Sequence, residues 1–288
     1  KPAAHIHARH TVGMVDPIRE NPEPVGDGLP ETLVDVIATY GHCYFKIKVC
    51  GDLDEDVNRL RDIAAVLDEN PDDYIISLDG NEQYNDVAGV AALMDAIESD
   101  GQLTRFSNSI LFVEQPISRA VALDVDVSAL SARKPVILDE SDAFLDAFPQ
   151  GRDLGYRGVS SKTCKGLYKS ILNAARCAQW GEGYFMSAED LTTQAGLSVQ
   201  QDLALINLLG ITHVERNGHH YVNGMNGVTA AEQAAFLVSH PDIYHRGDGG
   251  VTRLSIRDGQ ISIGSLDRVG FAYGAEPDFT VMRELSHG

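Results

Sequence analysis

Three short apolar runs in this chain each end on an acid: Ile75-Ile-Ser-Leu-Asp79, Ile110-Leu-Phe-Val-Glu114 and Val136-Ile-Leu-Asp139. A continuous apolar run of that kind, set off by helix-length segments, is the pattern of a parallel strand covered on both faces. Parallel strands of one sheet share a direction, so carboxylates at three successive C-terminal tips converge at one end of it. Two lysine-bearing strands flank the three, Tyr44-Phe-Lys46-Ile-Lys48 before and Gly158-Val-Ser-Ser-Lys162 after. One such acid alone is more often a helix cap or a solvated loop charge. Three in succession between lysines read as a site.

The rest of the chain keeps the alternation. Strands are expected at 9–15, 43–49, 74–79, 110–114, 136–139, 158–162, 184–188 and 212–215, and helices at 30–40, 54–67, 87–97, 125–130, 143–148, 167–179, 196–209 and 230–238. Asp54 is expected to cap the second helix and Thr229 the last. About eight strand–helix units in about 240 residues is the count and length of a (β/α)8 barrel. Residues 1–245 are therefore assigned to a TIM-like α/β barrel, (β/α)8 or (β/α)7β, and 246–288 to a C-terminal extension. In the extension Val251, Leu254, Ile256, Ile261 and Ile263 alternate about an Asp258-Gly259 turn, which predicts a β-hairpin packing outside the barrel.

Barrel geometry adds a constraint. With Lys48 on the second strand, the carboxylates fall on the third, fourth and fifth and Lys162 on the sixth. The second and sixth of eight strands are diametrically opposed, so Lys48 and Lys162 face each other with the acids on the arc between them. Asp79, Glu114 and Asp139 are hard oxygen ligands, a set suited to Mg²⁺ with room left for water and substrate. A substrate carboxylate there would present its α-carbon with one amine on each face. Loss of the α-proton builds charge on the carboxylate oxygens, which a divalent cation stabilises. An amine serves as the base once neighbouring cations depress its pKa. Lys46, on the same face of its strand as Lys48, is read as a supporting residue in that tuning. Asn81 and Glu140 are read as groups that orient the ligands. Glu189 and Asp190, ending the seventh strand, and His219 and His220, following the eighth, are candidates for substrate contact. His5, His7 and His10 are read as solvated, and Lys165 as a surface charge at a helix start.

The net charge of −19 disfavours nucleic acid and anionic membrane as partners. No apolar stretch reaches the length of a membrane span. Four cysteines without Cys-x-x-Cys spacing fit reduced thiols in a cytoplasmic protein. Neither Gly-x-Gly-x-x-Gly nor Gly-x-Ser-x-Gly occurs, so nucleotide and serine-hydrolase chemistry have no support. The chain opens at Lys1 without an initiator methionine, and a longer gene product is expected.

Together, Lys46-Ile-Lys48, Asp79-Gly-Asn81, Glu114-Gln-Pro116, Asp139-Glu-Ser141 and Lys162-Thr-Cys-Lys165-Gly166 resemble the enolase superfamily, and within it the mandelate racemase/muconate lactonizing enzyme subgroup. The motifs run in order over nearly the whole chain. The resemblance implies a (β/α)7β or (β/α)8 barrel, Mg²⁺ on Asp79, Glu114 and Asp139, and Lys48 with Lys162 as an acid/base pair; the enediolate mechanism is inherited from the superfamily. It also implies an N-terminal capping domain that closes over the substrate. None precedes Lys1, so this chain alone is expected to bind Mg²⁺ but turn over poorly. The expected activity is α-proton abstraction from a small-molecule carboxylate, in a racemase, epimerase or cycloisomerase that forms a homo-oligomer. The subgroup's dipeptide epimerases carry an Asp-x-Asp pair where this chain reads Val214-Glu-Arg-Asn-Gly-His-His-Tyr-Val222. The alternative enzyme is a sugar-acid dehydratase, though these commonly use a seventh-strand histidine and 184–191 has none. Outside enzymes, the alternative is a catalytically silent barrel used for binding.

Overall fold

The first strand sets the frame, because it carries neighbours on both edges. A computed structural model describes residues 3–70, 72–189, 193–269 and 274–281. Eight strands form the barrel: β1 (His5–Val12), β2 (Tyr44–Lys48), β3 (Ile75–Asp79), β4 (Ile110–Glu114), β5 (Val136–Leu138), β6 (Gly158–Ser161), β7 (Phe185–Ala188) and β8 (His213–Glu215). Strands β1 to β7 pair in sequence order, all parallel, and β8 returns to pair parallel with β1. No ladder joins β7 to β8 among the described residues, so the barrel is closed except at that seam.

Helices alternate with the strands: α1 (Leu33–Tyr40), α2 (Leu53–Asp68), α3 (Val87–Ser99), α4 (Thr104–Ser109), α5 (Ser128–Ser131), α6 (Ala147–Asp153), α7 (Leu167–Trp180), α8 (Leu197–Leu208), α9 (Gly218–Tyr221) and α10 (Ala230–Ser239). Their apolar stripes cover the sheet. Leu60, Ile63 and Leu67 of α2 pack with Val90, Leu93 and Ile97 of α3 over Ile76 and Leu78, and Val199, Leu203 and Ile206 of α8 cover Ile6 and Ala8 of β1. Alternation along β1 divides its side chains between two faces. Ile6, Ala8, His10 and Val12 lie under the helices. Arg9 crosses the lumen to Ser187 Oγ and the Ala188 carbonyl, both at 3.0 Å, and Thr11 reaches Glu215 at 2.7 Å.

Several local expectations are corrected. Asp52, not Asp54, caps α2: its carboxylate accepts from Asp54 N at 3.1 Å and Glu55 N at 3.0 Å, leaving Asp54 in the first turn, where an acid suits the helix dipole. Thr229 caps α10 as expected, accepting from Glu232 N at 3.2 Å. Strand β1 starts at His5 because a late strand, β11 (Gln260–Ser262), pairs antiparallel with His5–His7. The residues read as a hairpin therefore separate. The Asp258-Gly259 turn forms, with both residues at positive φ, but β10 (Thr252–Leu254) pairs antiparallel with β9 (Tyr244–Arg246) while β11 joins the barrel sheet. Alternation marks a half-buried strand without naming its partner. The four cysteines are free, and no helix among the described residues is long and apolar enough to cross a membrane.

Candidate active site

The acid motifs are built by close packing of the strand tips. Lys48, Asp79 and Glu114 stand in register across β2, β3 and β4. Beyond Asp79, Gly80 N donates to the Glu114 carbonyl at 2.9 Å, and a Cβ on Gly80 would lie 2.4 Å from Pro116 Cα. Glycine is required there by contact with the next motif. Gln115, at positive φ, turns its side chain back. Its Oε1 accepts from Asp139 N at 2.8 Å and Ser141 N at 3.1 Å, and its Nε2 donates to Ser141 Oγ and the Ile117 carbonyl. The Glu-Gln-Pro and Asp-Glu-Ser motifs are thereby stapled together.

Lys46 occupies the centre. Its Nζ lies 2.9 Å from Asp79 Oδ2, 3.0 Å from Glu114 Oε2, 2.8 Å from Glu189 Oε1 and 2.9 Å from Glu215 Oε2, and the side chain is 1% exposed. Burial alone disfavours its ammonium, but the four carboxylates reverse this and hold Lys46 well above the ordinary lysine range. Burial and the charge of Glu189 push Glu114 well above the usual carboxylate range. Burial would raise Glu189 as well, but Lys46 and the hydrogen bond from Glu114 hold it well below.

Lysines ring this cluster. Lys48 donates to Asp79 Oδ2 and, at 3.1 Å, to Asn81 Oδ1. Asn81 in turn donates to Glu140 Oε1 at 2.7 Å. Burial, then the adjacent Asp139, pushes Glu140 up to about 7. Lys162 Nζ lies 2.7 Å from Asp139 Oδ2 and 2.5 Å from Glu189 Oε2. Lys165 donates to Asp139 Oδ1 at 2.7 Å and to the Ser160 carbonyl at 2.8 Å, so the surface role expected for it does not hold. Lys162 is held by Asp139 and Glu189. Burial lowers it, but Glu189 and Asp139 raise it past the ordinary lysine range.

The structure regroups the remaining candidates. The acids whose oxygens stand within 4.8 Å of one another are Asp79, Glu114 and Glu189, whereas Asp139 engages Lys162 and Lys165. Glu189, read as a substrate contact, thus stands at the core of the acid cluster. Glu215 was missed: it binds Lys46 and accepts from Thr11 Oγ1 and Asn217 Nδ2, each at 2.7 Å. Its signal was the same acid after an apolar residue, in a strand too short to stand out. His219 is buried beside His10, His42 and Tyr40 in the layer outside β1, because α9 folds over the outer face of the barrel. His220 packs edge-on against His10, with ring centroids 5.0 Å apart. Asp190 lies outside the described residues.

Asp79, Glu114 and Glu189 fit a divalent cation. The donors are all oxygen, as a hard ion requires. Glu114 Oε2 is buried without a hydrogen-bond partner, its nearest cation being Lys46 at 3.0 Å, and the three acids leave that oxygen turned into the cluster for an ion to take.

No family sequence model matches the chain, and no curated protein matches it by sequence. Solved structures do resemble it. A mandelate racemase/muconate lactonizing protein from Herpetosiphon aurantiacus superposes with a TM-score of 0.60 at 16% identity, over 91% of this chain and 62% of its own. The muconate lactonizing enzyme of Pseudomonas putida gives a TM-score of 0.57 at 16% identity over the same shares, 91% and 62%. A dipeptide epimerase from Methylococcus capsulatus complexed with Mg ion gives 0.57 at 18% identity, over 90% of this chain and 66% of its own. The chain thus spans about 62% of the length of the first two. At these identities the likeness concerns architecture, and the chain has the barrel fold of the mandelate racemase/muconate lactonizing proteins of the enolase superfamily.

Proposed function

We propose that this barrel carries a Mg²⁺-dependent site that removes and returns the α-proton of a small-molecule carboxylate, as in a racemase, epimerase or cycloisomerase. One observation carries the reading: Lys48 and Lys162, on β2 and at the end of β6, reach into a single row of buried carboxylates from opposite ends. Lys48 does so through Asp79, and Lys162 through Asp139 and Glu189. Asp79, Glu114 and Glu189 would hold the ion, which when bound supplies hard positive charge beside a substrate carboxylate.

The three lysines divide the work by exposure. Lys46, enclosed on every side, balances charge. Lys48 and Lys162, with side chains 23% and 15% exposed, reach open space and are the groups placed to move a proton. Lys162 is held toward the cluster by Glu189 and Asp139. An open cleft lined by Thr163, Cys164, Glu189, Thr193 and Asp202 lies at the ends of β6 and β7 and gives a small substrate room beside it.

The names of similar structures suggest a first panel: muconate, N-succinyl arginine and lysine, and dipeptides. Chiral chromatography after incubation with Mg²⁺ is expected to show conversion of at least one member, abolished by a chelator and by Lys162→Ala. Conversion that ignores both treatments would contradict the proposal.

A further inference from the structure

Outside the lumen, three buried imidazoles from distant parts of the chain meet under α1 and α9. His10 comes from β1, His42 from the turn before β2, and His219 from α9, and all three are buried. One ring nitrogen from each lies within 4.8 Å of the other two. His42 Nδ1 is 2.9 Å from the Ala8 carbonyl, which can only accept, so this nitrogen carries the proton and Nε2 keeps its lone pair. An imidazole whose other nitrogen donates to a carbonyl is oriented as metal-binding histidines are.

His42 Nε2 points at His219 Nε2, 3.3 Å away. Two nitrogens each about 2.0–2.1 Å from one tetrahedral Zn²⁺ stand about 3.3–3.4 Å apart. The pair is already at ligand spacing. His10 Nδ1 is buried without a hydrogen-bond partner, and a buried unpartnered polar atom calls for a ligand or ion. Packing alone explains ring stacking but not the buried His10 nitrogen left without a partner.

We propose that His10, His42 and His219 form a second metal site, for a borderline transition ion of the Zn²⁺ class, distinct from the acid cluster. Three neutral imidazoles suit Zn²⁺, Ni²⁺ or Cu²⁺ and are poor ligands for Mg²⁺, so the two sites select different ions. Three protein ligands leave the fourth tetrahedral position to water. The ion would tie α9, which follows β8, to β1 and the entrance of β2, pinning the barrel on the side where β8 returns to β1. This site does not depend on the catalytic reading.

The experiment is titration of the full chain with Zn²⁺ by calorimetry and with Co²⁺ by visible absorption, in an Asp79→Asn/Glu114→Gln background that disables the acid cluster. One equivalent of Zn²⁺ is expected to bind in this background, undisturbed by excess Mg²⁺, and His219→Gln is expected to weaken it by at least about a hundredfold. Co²⁺ is expected to give the intense bands of tetrahedral nitrogen ligation. Should His219→Gln fail to fold, the Co²⁺ spectrum of the background chain decides alone. Absence of Zn²⁺ binding, binding unchanged in a folded His219→Gln chain, or a weak octahedral Co²⁺ spectrum would each overturn the site.

Discussion

Lys46 Nζ donates to Glu189 Oε1 at 2.8 Å and to Glu215 Oε2 at 2.9 Å, so one amine from β2 holds the tips of β7 and β8 together. Those two strands share no ladder among the described residues. The lysine thus bridges the barrel between β7 and β8 while balancing the charge of the site inside it.

Replacing Lys46 by Met keeps much of the side-chain volume and removes the charge. Four buried carboxylates then lose their shared partner, and removal of one side of a buried ion pair costs about 3–5 kcal/mol. Thermal unfolding is expected to show a large loss of stability, partly recovered by Mg²⁺ to a greater degree than in the parent. A midpoint within a degree or so of the parent would mean that the carboxylates do not depend on Lys46.

For the acid cluster, Asp79→Asn and Glu114→Gln are each expected to weaken Mg²⁺ binding by about tenfold or more while leaving the far-ultraviolet circular dichroism unchanged. Glu189→Gln is expected to weaken it more than Asp139→Asn, because Glu189 is the acid grouped with Asp79 and Glu114. Calorimetric titration reads this order directly. The reverse order would return the third ligand position to Asp139, as the sequence motif has it.

Gly80→Ala places a methyl group 2.4 Å from Pro116 Cα, where backbone must move to receive it. Overpacking of this kind costs about 1–3 kcal/mol, and here it also separates the tips that carry Asp79 and Glu114. Stability and Mg²⁺ affinity should fall together. Loss of stability with unchanged affinity would uncouple the turn from the site.

His213 supplies a pH dependence away from the acid cluster. Burial first, and then the nearby Arg9, lower its pKa to about 3 from an ordinary 6.5. The unfolded chain therefore takes up this proton below about pH 6.5 while the folded chain resists until about pH 3, and stability falls with pH across that window. His213→Phe, which keeps a ring against Tyr44, should flatten the descent between those values in a denaturant series. An unchanged slope would show that His213 titrates alike in both states.

Much of the barrel was legible because β3, β4 and β5 are apolar runs and longer helices such as α2 and α3 keep their stripes. Asp79 and Glu114 were legible for the same reason, as acids that close such runs. Glu215 was not, since β8 has three residues and leaves too short a run to notice. Pairing partners were also hidden. The alternation of 251–263 is real, yet its last strand finishes beside β1, which required knowing that β1 had a free edge. Lys46 and Lys48 look equivalent in Lys-Ile-Lys, and only the closed barrel buries one among four carboxylates and leaves the other at the rim. The histidine trio joins residues that no local pattern links.

The measurement closest to the chemistry is solvent deuterium incorporation at the substrate α-carbon, followed by proton NMR in D₂O for each enantiomer separately. With Mg²⁺ present, both enantiomers of a racemised substrate should exchange. Lys162→Ala should suppress exchange of one enantiomer by about a hundredfold or more, and Lys48→Ala should suppress the other. Equal, partial losses for both enantiomers in both variants, or exchange that persists without a divalent cation, would contradict proton transfer by two lysines across this acid cluster.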